Sequence, residues 1–229
     1  MLRENVHAQY FFKRPLFKFQ EAALQFFEMI YDVLGVRLNI QPNELSAAPA
    51  NNFAEARARY SVYGGSSSVS LLADRIAFDF PGLVSSDLGI MHEIMATVYD
   101  NFPSAFPDVS PARIEAQEYA HLDIGTQEAV AAFLNKYRVS TVEKTFGDDL
   151  AVINTPSVRY SIVAQDGSWK SVVSTEISQL STTALFGTIS TSLLKLPDRL
   201  DFVSTLGRFQ TITLRALASL DLEPENAAG

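Results

Sequence analysis

The first strong pattern along the chain is an apolar repeat over residues 16–34. Large apolar side chains recur there at three- and four-residue spacing, which predicts an amphipathic helix. Phe17, Leu24 and Tyr31 make the apolar stripe wider than a helix with one buried side requires. We therefore expect a curved sheet to surround this helix. Gly35 is expected to end it, because glycine is favoured just after a helix C-terminus.

Alternation of apolar and polar residues predicts antiparallel strands in both halves of the chain. Between residues 55 and 63 the even-numbered positions are apolar, among them Tyr60, and the odd-numbered positions include Arg57 and Arg59. The predicted strands are residues 6–12, 36–40, 55–63, 69–72, 75–80, 112–124, 158–164, 171–180 and 184–194.

Turn and capping signals separate these strands from further helices. Residues 41–52 are expected to form a loop, residues 64–68 a turn, and Pro81 with Gly82 the end of a strand. Asp166 and Gly167 predict a hairpin turn. The remaining predicted helices are residues 86–99, capped by Ser85 or Ser86, residues 126–137, capped by Thr126, and a last helix that begins at Pro197.

The two halves of the chain share an order of elements: a strand, a helix, a meander of strands and a closing helix. The segment Arg59-Tyr60-Ser61-Val62 recurs as Arg159-Tyr160-Ser161-Ile162 at the same place in that order. Residues 102–111 hold three prolines and mark the predicted boundary. We predict an α+β fold of antiparallel sheets with packed helices and, as a hypothesis, two pseudo-repeats. The predicted units are residues 1–104 and 112–222, separate or in one domain, with a tail over residues 223–229.

Composition and charge narrow the classes of function. The chain has 229 residues, a formal net charge of −8, a pI near 4.9 and no cysteine. An acidic chain without a basic run is not expected to bind nucleic acid or an anionic membrane surface. The start of the chain has no apolar core typical of a signal peptide, and no apolar run is long enough to span a membrane. We expect a soluble, cytoplasmic protein.

No catalytic, cofactor or metal motif is recognisable in the sequence. His92 and Glu93 begin like the zinc-protease helix motif, but Ala96 stands where the second histidine is required. Serine-based nucleophile elbows and phosphate-binding loops are also missing from the sequence. We therefore predict no catalytic residues, no metal ligands and no cofactor.

The strand over residues 112–124 carries the densest polar constellation. Glu115, Tyr119, His121 and Asp123 share one side of it, and we expect the carboxylate of Asp123 to lie close enough to orient the imidazole of His121. Arg57 and Arg59 would supply anion contacts if their strand were a neighbour. The alternative is a solvated sheet face with cross-strand ion pairs. Trp169 is expected to be exposed at a hairpin tip and to mark a protein contact.

Three functions stay open on this basis. The first is a non-catalytic interaction or assembly protein that acts through sheet and apolar surfaces, with another protein or a second copy as partner. The second is a carrier of an apolar small molecule in a helix-grip or hot-dog-like cavity. The third is an acyl-thioester enzyme of tandem hot-dog type, with His121 and Asp123 or Glu115 as its base.

Overall fold

The computed structural model describes residues 3–41, 44–48, 56–62, 67–83, 87–136 and 157–196, together with residues 211 and 215. The strands are β1 (Arg3–Phe12), β2 (Leu45–Ala48), β3 (Arg57–Val62), β4 (Ser67–Leu72), β5 (Arg75–Leu83), β6 (Pro111–Asp123), β7 (Val158–Val163), β8 (Trp169–Ile177) and β9 (Ala184–Leu193). The helices with defined bounds are α1 (Phe19–Ile30), α2 (Leu88–Ala105) and α3 (Gln127–Lys136).

All nine strands pair antiparallel in one sheet, in the order β2-β3-β4-β5-β1-β6-β9-β8-β7. The predicted α+β fold is confirmed. The described helices pack on one face of this sheet. Rings of β1 meet rings of α2 there: Tyr10 lies 5.3 Å from Tyr99, and Phe12 stacks at 5.5 Å on Phe102, both between ring centroids. Because side chains alternate along a strand, the neighbouring positions of β1 point to the other face.

The first helix is shorter and more exposed than its sequence pattern predicts. α1 begins at Phe19 and continues into a π-helical turn, Tyr31–Gly35. Phe26 and Ile30 are fully buried against the sheet. Phe17 and Leu24 are 74% and 66% exposed, and Tyr31 is also exposed. The expectation that a curved sheet surrounds this helix is wrong, because the helix rests on one face of the sheet and its outer side meets solvent.

Four further boundaries differ from the sequence predictions, each for a local reason. Residues 36–40 form a turn rather than a strand, since the N–H of Leu38 donates to the carbonyl of Leu34 at 2.9 Å. The predicted loop over residues 41–52 contains β2, which pairs with β3. Ser67 and Ser68 belong to β4 instead of a turn. α2 runs past residue 99 to Ala105, into the predicted boundary.

Pro81 and Gly82 do not end β5. Gly82 adopts a φ of 68°, which glycine tolerates, and its N–H donates to Oδ1 of Asn5 at 2.6 Å. The register between β1 and β5 shifts at this point, as in a β-bulge, and the strand then continues to Leu83.

The other predicted helices and strands within the described residues are confirmed, with ends that differ by a few residues. The N-cap of α2 is Asp87, while Ser85 and Ser86, the predicted caps, lie outside the described residues. Thr126 caps α3, because its Oγ1 accepts the N–H of Ala129 at 3.1 Å. Gly167 has a φ of 66° in the predicted hairpin turn. The last predicted helix and the tail lie outside the described residues, except that Thr211 and Arg215 are helical.

The sheet divides at its centre into two half-sheets of the same order. The first half-sheet pairs β3, β4, β5 and β1 in succession, with β2 outside β3, and the second pairs β7, β8, β9 and β6. The registers run Tyr60, Val69, Phe78, Ala8 across the first and Tyr160, Val173, Ile189, Glu118 across the second. We take Tyr60 and Tyr160 as the reference positions for comparing the two half-sheets. Descent of the halves from a duplicated unit, and their division at residues 104 and 112, stay predictions.

Candidate binding face of the sheet

The face of the sheet opposite the helices is the candidate site, and we call it the open face. Among the side chains that the structure describes, it consists of the odd-numbered ones of β1 from Asn5, of β3, of β5 up to Phe80, of β6 from Arg113 and of β7, and of the even-numbered ones of β4, β8 and β9. None of the three helices with defined bounds packs against it. This face is built mainly from arginine, serine, threonine and amide side chains, while the helix face holds the apolar core.

Charge is distributed unevenly between the open face and the rest of the chain. The chain as a whole has a net charge of −8. Among the described side chains of the open face, six basic ones outnumber four acidic ones. The basic residues are Arg57, Arg59, Arg75, Arg113, Arg159 and Lys170, and the acidic ones are Asp79, Glu115, Asp123 and Glu176. The remaining surface must therefore carry the whole acidic excess.

A cluster of two arginines and two serines lies on β3 and β4 in the first half-sheet. Arg57 donates from Nε and Nη2 to Oγ of Ser70, at 3.2 and 3.1 Å. Arg59 stands directly opposite Ser70 in the register. Ser68 and Ser70 are 0% and 1% exposed. Nε of Arg59 and Oγ of Ser68 are both buried, and neither has a hydrogen-bond partner.

The corresponding positions of the second half-sheet hold a different arrangement. Arg159 corresponds to Arg59 and is exposed. Val172 stands at the position of Ser68. The hydroxyl of Ser174, which corresponds to Ser70, is hydrogen-bonded to the hydroxyl of Thr188 at 2.6 Å. Here the hydroxyl groups satisfy one another.

A polar network occupies the middle of the open face. Nδ1 of His7 lies 3.3 Å from Oδ1 of Asp79, and Nε2 of His7 lies 2.5 Å from Nε2 of Gln9. Gln9 can only donate at that nitrogen, so the imidazole accepts there and donates from Nδ1 to the carboxylate. Burial raises the pKa of Tyr119 above its ordinary value, and the nearby charge of Asp79 acts in the same direction.

Two guanidinium groups cover an aromatic ring beside this network. The guanidinium carbon of Arg113 lies 3.7 Å from the ring centroid of Phe11, and that of Arg75 lies 5.2 Å from it. Phe11 is only 8% exposed although it is on the open face. Nε of Arg113 also donates to Oε1 of Glu115 at 2.7 Å. Arg113 therefore screens an apolar ring and neutralises a neighbouring carboxylate.

The expected pairing of His121 with Asp123 is wrong. Nδ1 of His121 is hydrogen-bonded to Oγ of Ser178 at 2.8 Å, and its ring lies 4.9 Å from the ring of Phe186. Oδ1 of Asp123 instead accepts the N–H of Gly125 at 3.0 Å in the turn after β6. Both side chains serve local structure, and no carboxylate of the described residues is hydrogen-bonded to this imidazole.

Trp169 also differs from its expected surroundings. It is half-buried, because it points to the helix face, beside Leu193 in the register, and packs against the larger core cluster. The expectation of an exposed tryptophan at a hairpin tip is wrong. A direct part for Trp169 in a protein contact stays a prediction, and its placement in the core gives it a structural role.

The other predicted site residues share the open face but form two separate groups. Arg57 and Arg59 are on β3, whereas Glu115, Tyr119 and His121 are on β6. Three strands lie between β3 and β6 in the sheet order, which separates them by about 19 Å. The two arginines therefore cannot contact an anion held at His121. Ser68 and Ser70, which do adjoin them, are absent from the sequence-based set. Ser68 lies in residues 64–68, which resemble a turn, and Ser70 lies in a predicted strand whose neighbours the sequence does not give.

Two searches over the described ranges gave negative results. No group of three histidine, cysteine, aspartate or glutamate side chains in them is arranged to hold a metal ion. None of their helices is long and apolar enough to cross a membrane. On α2, burial lowers the pKa of His92, and Glu93 forms an ion pair with Arg37.

Comparison with protein-family models and with curated proteins finds no match. Among solved structures, a rolling circle replication initiator protein from Geobacillus stearothermophilus is similar at 8% identity and a TM-score of 0.35, over 99% of this chain and 88% of that one. The di-domain ARO/CYC proteins BexL and StfQ are similar at 11% and 10% identity, with TM-scores of 0.26 and 0.23. The alignments cover 99% of this chain and 99% of BexL, and 95% of this chain and 96% of StfQ. TM-scores this low carry no argument about function.

Proposed function

We propose that this protein acts without catalysis, as an interaction or assembly protein that holds an acidic segment of a partner protein on the open face. The observation that carries the proposal is the uneven charge. Among the described side chains of the open face, basic ones outnumber acidic ones six to four, in a chain with a net charge of −8. Complementary charge steers a partner to one surface and keeps like-charged surfaces away from it.

The chemistry of the face supports binding over catalysis. His121 and Asp123, the residues that an acyl-thioester enzyme would use, are hydrogen-bonded to Ser178 and to the backbone of Gly125. An acid–base pair needs both groups within reach of one proton. The open face offers instead rows of hydroxyl, amide and guanidinium groups, which hydrogen-bond to a polypeptide without reacting with it.

An acidic protein segment fits the molecule better than a nucleic acid does. Nucleic acid carries a dense and regular negative charge, which a chain with a net charge of −8 repels at long range. A protein segment carries fewer charges and also offers backbone groups. Those groups match the mixture of hydroxyl and amide side chains on the open face.

The experiment measures binding of a fluorescein-labelled polyglutamate peptide by fluorescence anisotropy at low salt. We expect the double variant Arg113→Glu and Lys170→Glu to weaken binding about tenfold or more, because it reverses two charges of the open face. The double variant Lys13→Glu and Arg14→Glu is the matched control, since it changes the net charge equally at two exposed side chains outside the strands, and it should change binding only slightly.

Two results would overturn the proposal. In the first, the control weakens binding as much as the open-face variant does, which assigns the effect to net charge alone. In the second, a labelled single-stranded DNA of equal charge binds more tightly than the peptide and loses affinity through the same two substitutions.

A further inference from the structure

Two buried polar atoms of the first half-sheet lack a hydrogen-bond partner on the open face. They are Nε of Arg59 and Oγ of Ser68. A buried N–H or O–H without an acceptor costs about 1–3 kcal/mol, and folded proteins leave few such groups. In the part of the chain that the structure describes, the two other buried side-chain polar atoms without a partner, in Tyr60 and Thr175, point to the helix face among core side chains.

The register places the two atoms' residues side by side. Arg59 pairs with Ser70, and Ser68 pairs with Ser61, so Arg59 and Ser68 are diagonal neighbours on β3 and β4. Diagonal neighbours on one face are about 7–8 Å apart, which a long arginine side chain spans. One small group with several acceptor atoms can therefore meet both donors.

The surroundings favour a negative ligand. Arg57 adds a second positive charge and is held in place by its two hydrogen bonds to Ser70. The nearest acidic group in the register is Asp79, opposite Ser68, and its carboxylate lies 3.3 Å from His7. The local charge is therefore positive, because the two guanidinium groups of Arg57 and Arg59 outnumber the one carboxylate, that of Asp79, which already has a partner.

We propose that Arg59 and Ser68, with Arg57 beside them, form a binding site for one oxyanion, a carboxylate or a phosphate group. The anion accepts the Nε–H of Arg59 and the hydroxyl of Ser68, which satisfies both buried donors at once. The side chain of Arg59 is partly exposed and its Nε makes no hydrogen bond, so the side chain reorients at little cost to admit the anion. Guanidinium groups suit carboxylate and phosphate because the N–H groups match the oxygens in pairs.

This site does not depend on the proposed partner protein. It rests on the two unsatisfied donors, and small free anions are sufficient to test it. A site that binds phosphate or acetate while the polyglutamate peptide fails to bind would retain the inference and remove the proposed function. Binding of the polyglutamate peptide, with no saturable response of Arg59 to phosphate or acetate, would retain the proposed function and remove the oxyanion site.

The experiment follows the arginine Nε–H signals of ¹⁵N-labelled protein by NMR while sodium phosphate or sodium acetate replaces sodium chloride at constant ionic strength. The Arg59 signal is assigned by its loss in Arg59→Gln. We expect this signal to shift with saturation, and Ser68→Ala to weaken the anion about tenfold, as for a lost hydrogen bond to a charged group. Arg159→Gln and Ser174→Ala are the matched controls from the second half-sheet and should leave the affinity unchanged.

The two anions identify the source of the ligand. Tighter binding of phosphate than of acetate assigns a phosphate ligand, and the converse assigns a carboxylate. Equal shifts of the Arg59 and Arg159 signals, or an affinity that Ser68→Ala leaves unchanged, would overturn the site. If Arg59→Gln fails to fold, Arg59→Lys retains the charge for assignment and Ser68→Ala still decides the outcome.

Discussion

The two half-sheets have the same strand order, but the hydrogen bonding on their open faces differs. In the first, Arg59 and Ser68 leave two buried donors without an acceptor. In the second, Arg159 is exposed, Val172 replaces the serine, and Ser174 bonds to Thr188. On the open face, the buried hydroxyl of Ser68 therefore lacks a partner in the first half-sheet, whereas Ser174 and Thr188 satisfy each other in the second.

This difference distinguishes polar side chains that stabilise the sheet from polar side chains that are available to a ligand. Both halves are rich in serine and threonine at alternate positions, so composition alone does not distinguish them. Hydrogen-bond satisfaction does distinguish them, because paired hydroxyl groups stabilise a sheet face and unpaired buried ones destabilise it. The first half-sheet is therefore the better candidate for a ligand site.

The largest expected effect comes from giving the first half-sheet the residue of the second. Ser68→Val places there the side chain found at Val172, and it removes the hydroxyl that the proposed oxyanion uses. We expect phosphate binding, measured by isothermal titration calorimetry, to weaken at least about tenfold. The control is the opposite exchange in the second half-sheet, Val172→Ser, which should leave the affinity for phosphate unchanged. Unchanged binding in Ser68→Val would show that the two halves do not differ in this way.

Alkaline stability tests the helix faces of the same two half-sheets. Burial raises the pKa of Tyr60 to about 12, and the neighbouring Tyr31 and Glu44 add to the shift. Because this pKa exceeds the unfolded value, the contribution of the neutral Tyr60 side chain to the free energy of unfolding is fully present below pH 10. That contribution is lost as the pH rises from 10 towards 12. Tyr60→Phe should therefore retain about 1 kcal/mol more of its stability than wild type does at pH 11.

The measurement for Tyr60 is urea unfolding at pH 8 and at pH 11. Tyr160→Phe is the matched control from the second half-sheet, where the ring is half-buried instead of fully buried. An equal gain in both variants would contradict the assigned difference in burial. Tyr10 and Tyr99 also have raised pKa values, so each variant is compared with wild type at both pH values.

Removing single hydroxyl groups should have opposite signs in the two halves. Ser68→Ala deletes a buried hydroxyl without a partner, and we expect a gain of about 1 kcal/mol in the free energy of unfolding. Ser174→Ala breaks the bond to Thr188, and we expect a loss of about 1 kcal/mol. Urea unfolding at neutral pH and low anion concentration measures both. Two losses of similar size would indicate that Ser68 is satisfied in solution.

The smallest expected effect concerns the ring that Arg113 covers. Arg113→Ala exposes Phe11 and removes a cation–π contact, for an expected loss of about 0.5–1 kcal/mol in the free energy of unfolding. Glu115→Gln is the control, because it breaks the ion pair and leaves the guanidinium over the ring. If the control costs as much as Arg113→Ala, the ion pair rather than the ring contact accounts for the effect.

Much of the fold follows from the sequence because alternation and helical spacing report burial directly. The pattern around Tyr60 correctly predicts which side chains of β3 face the core, and Thr126 correctly predicts the cap of α3. The exposed side of α1 is not predictable in this way, because a wide apolar stripe does not show whether other elements pack on one side of the helix or on two. Gly82 misleads for a similar reason, since a bulge lets the strand continue past it.

The site is less predictable than the fold. The sequence correctly points to Arg57 and Arg59 on one side of their strand. It does not give the order of strands, so it cannot show that β6 is distant from β3. Ser68 lies in a run of glycine and serine that resembles a turn, and only the pairing with Ser61 and Asp79 reveals its burial.

The most direct test of the oxyanion site is a crystal structure of the protein grown with sodium selenate, whose selenium gives an anomalous signal. We predict an anomalous peak within hydrogen-bond distance of Nε of Arg59 and Oγ of Ser68, away from lattice contacts, and none at Arg159. A peak of equal height beside Arg159, or none beside Arg59 at saturating selenate, would contradict the difference between the two half-sheets.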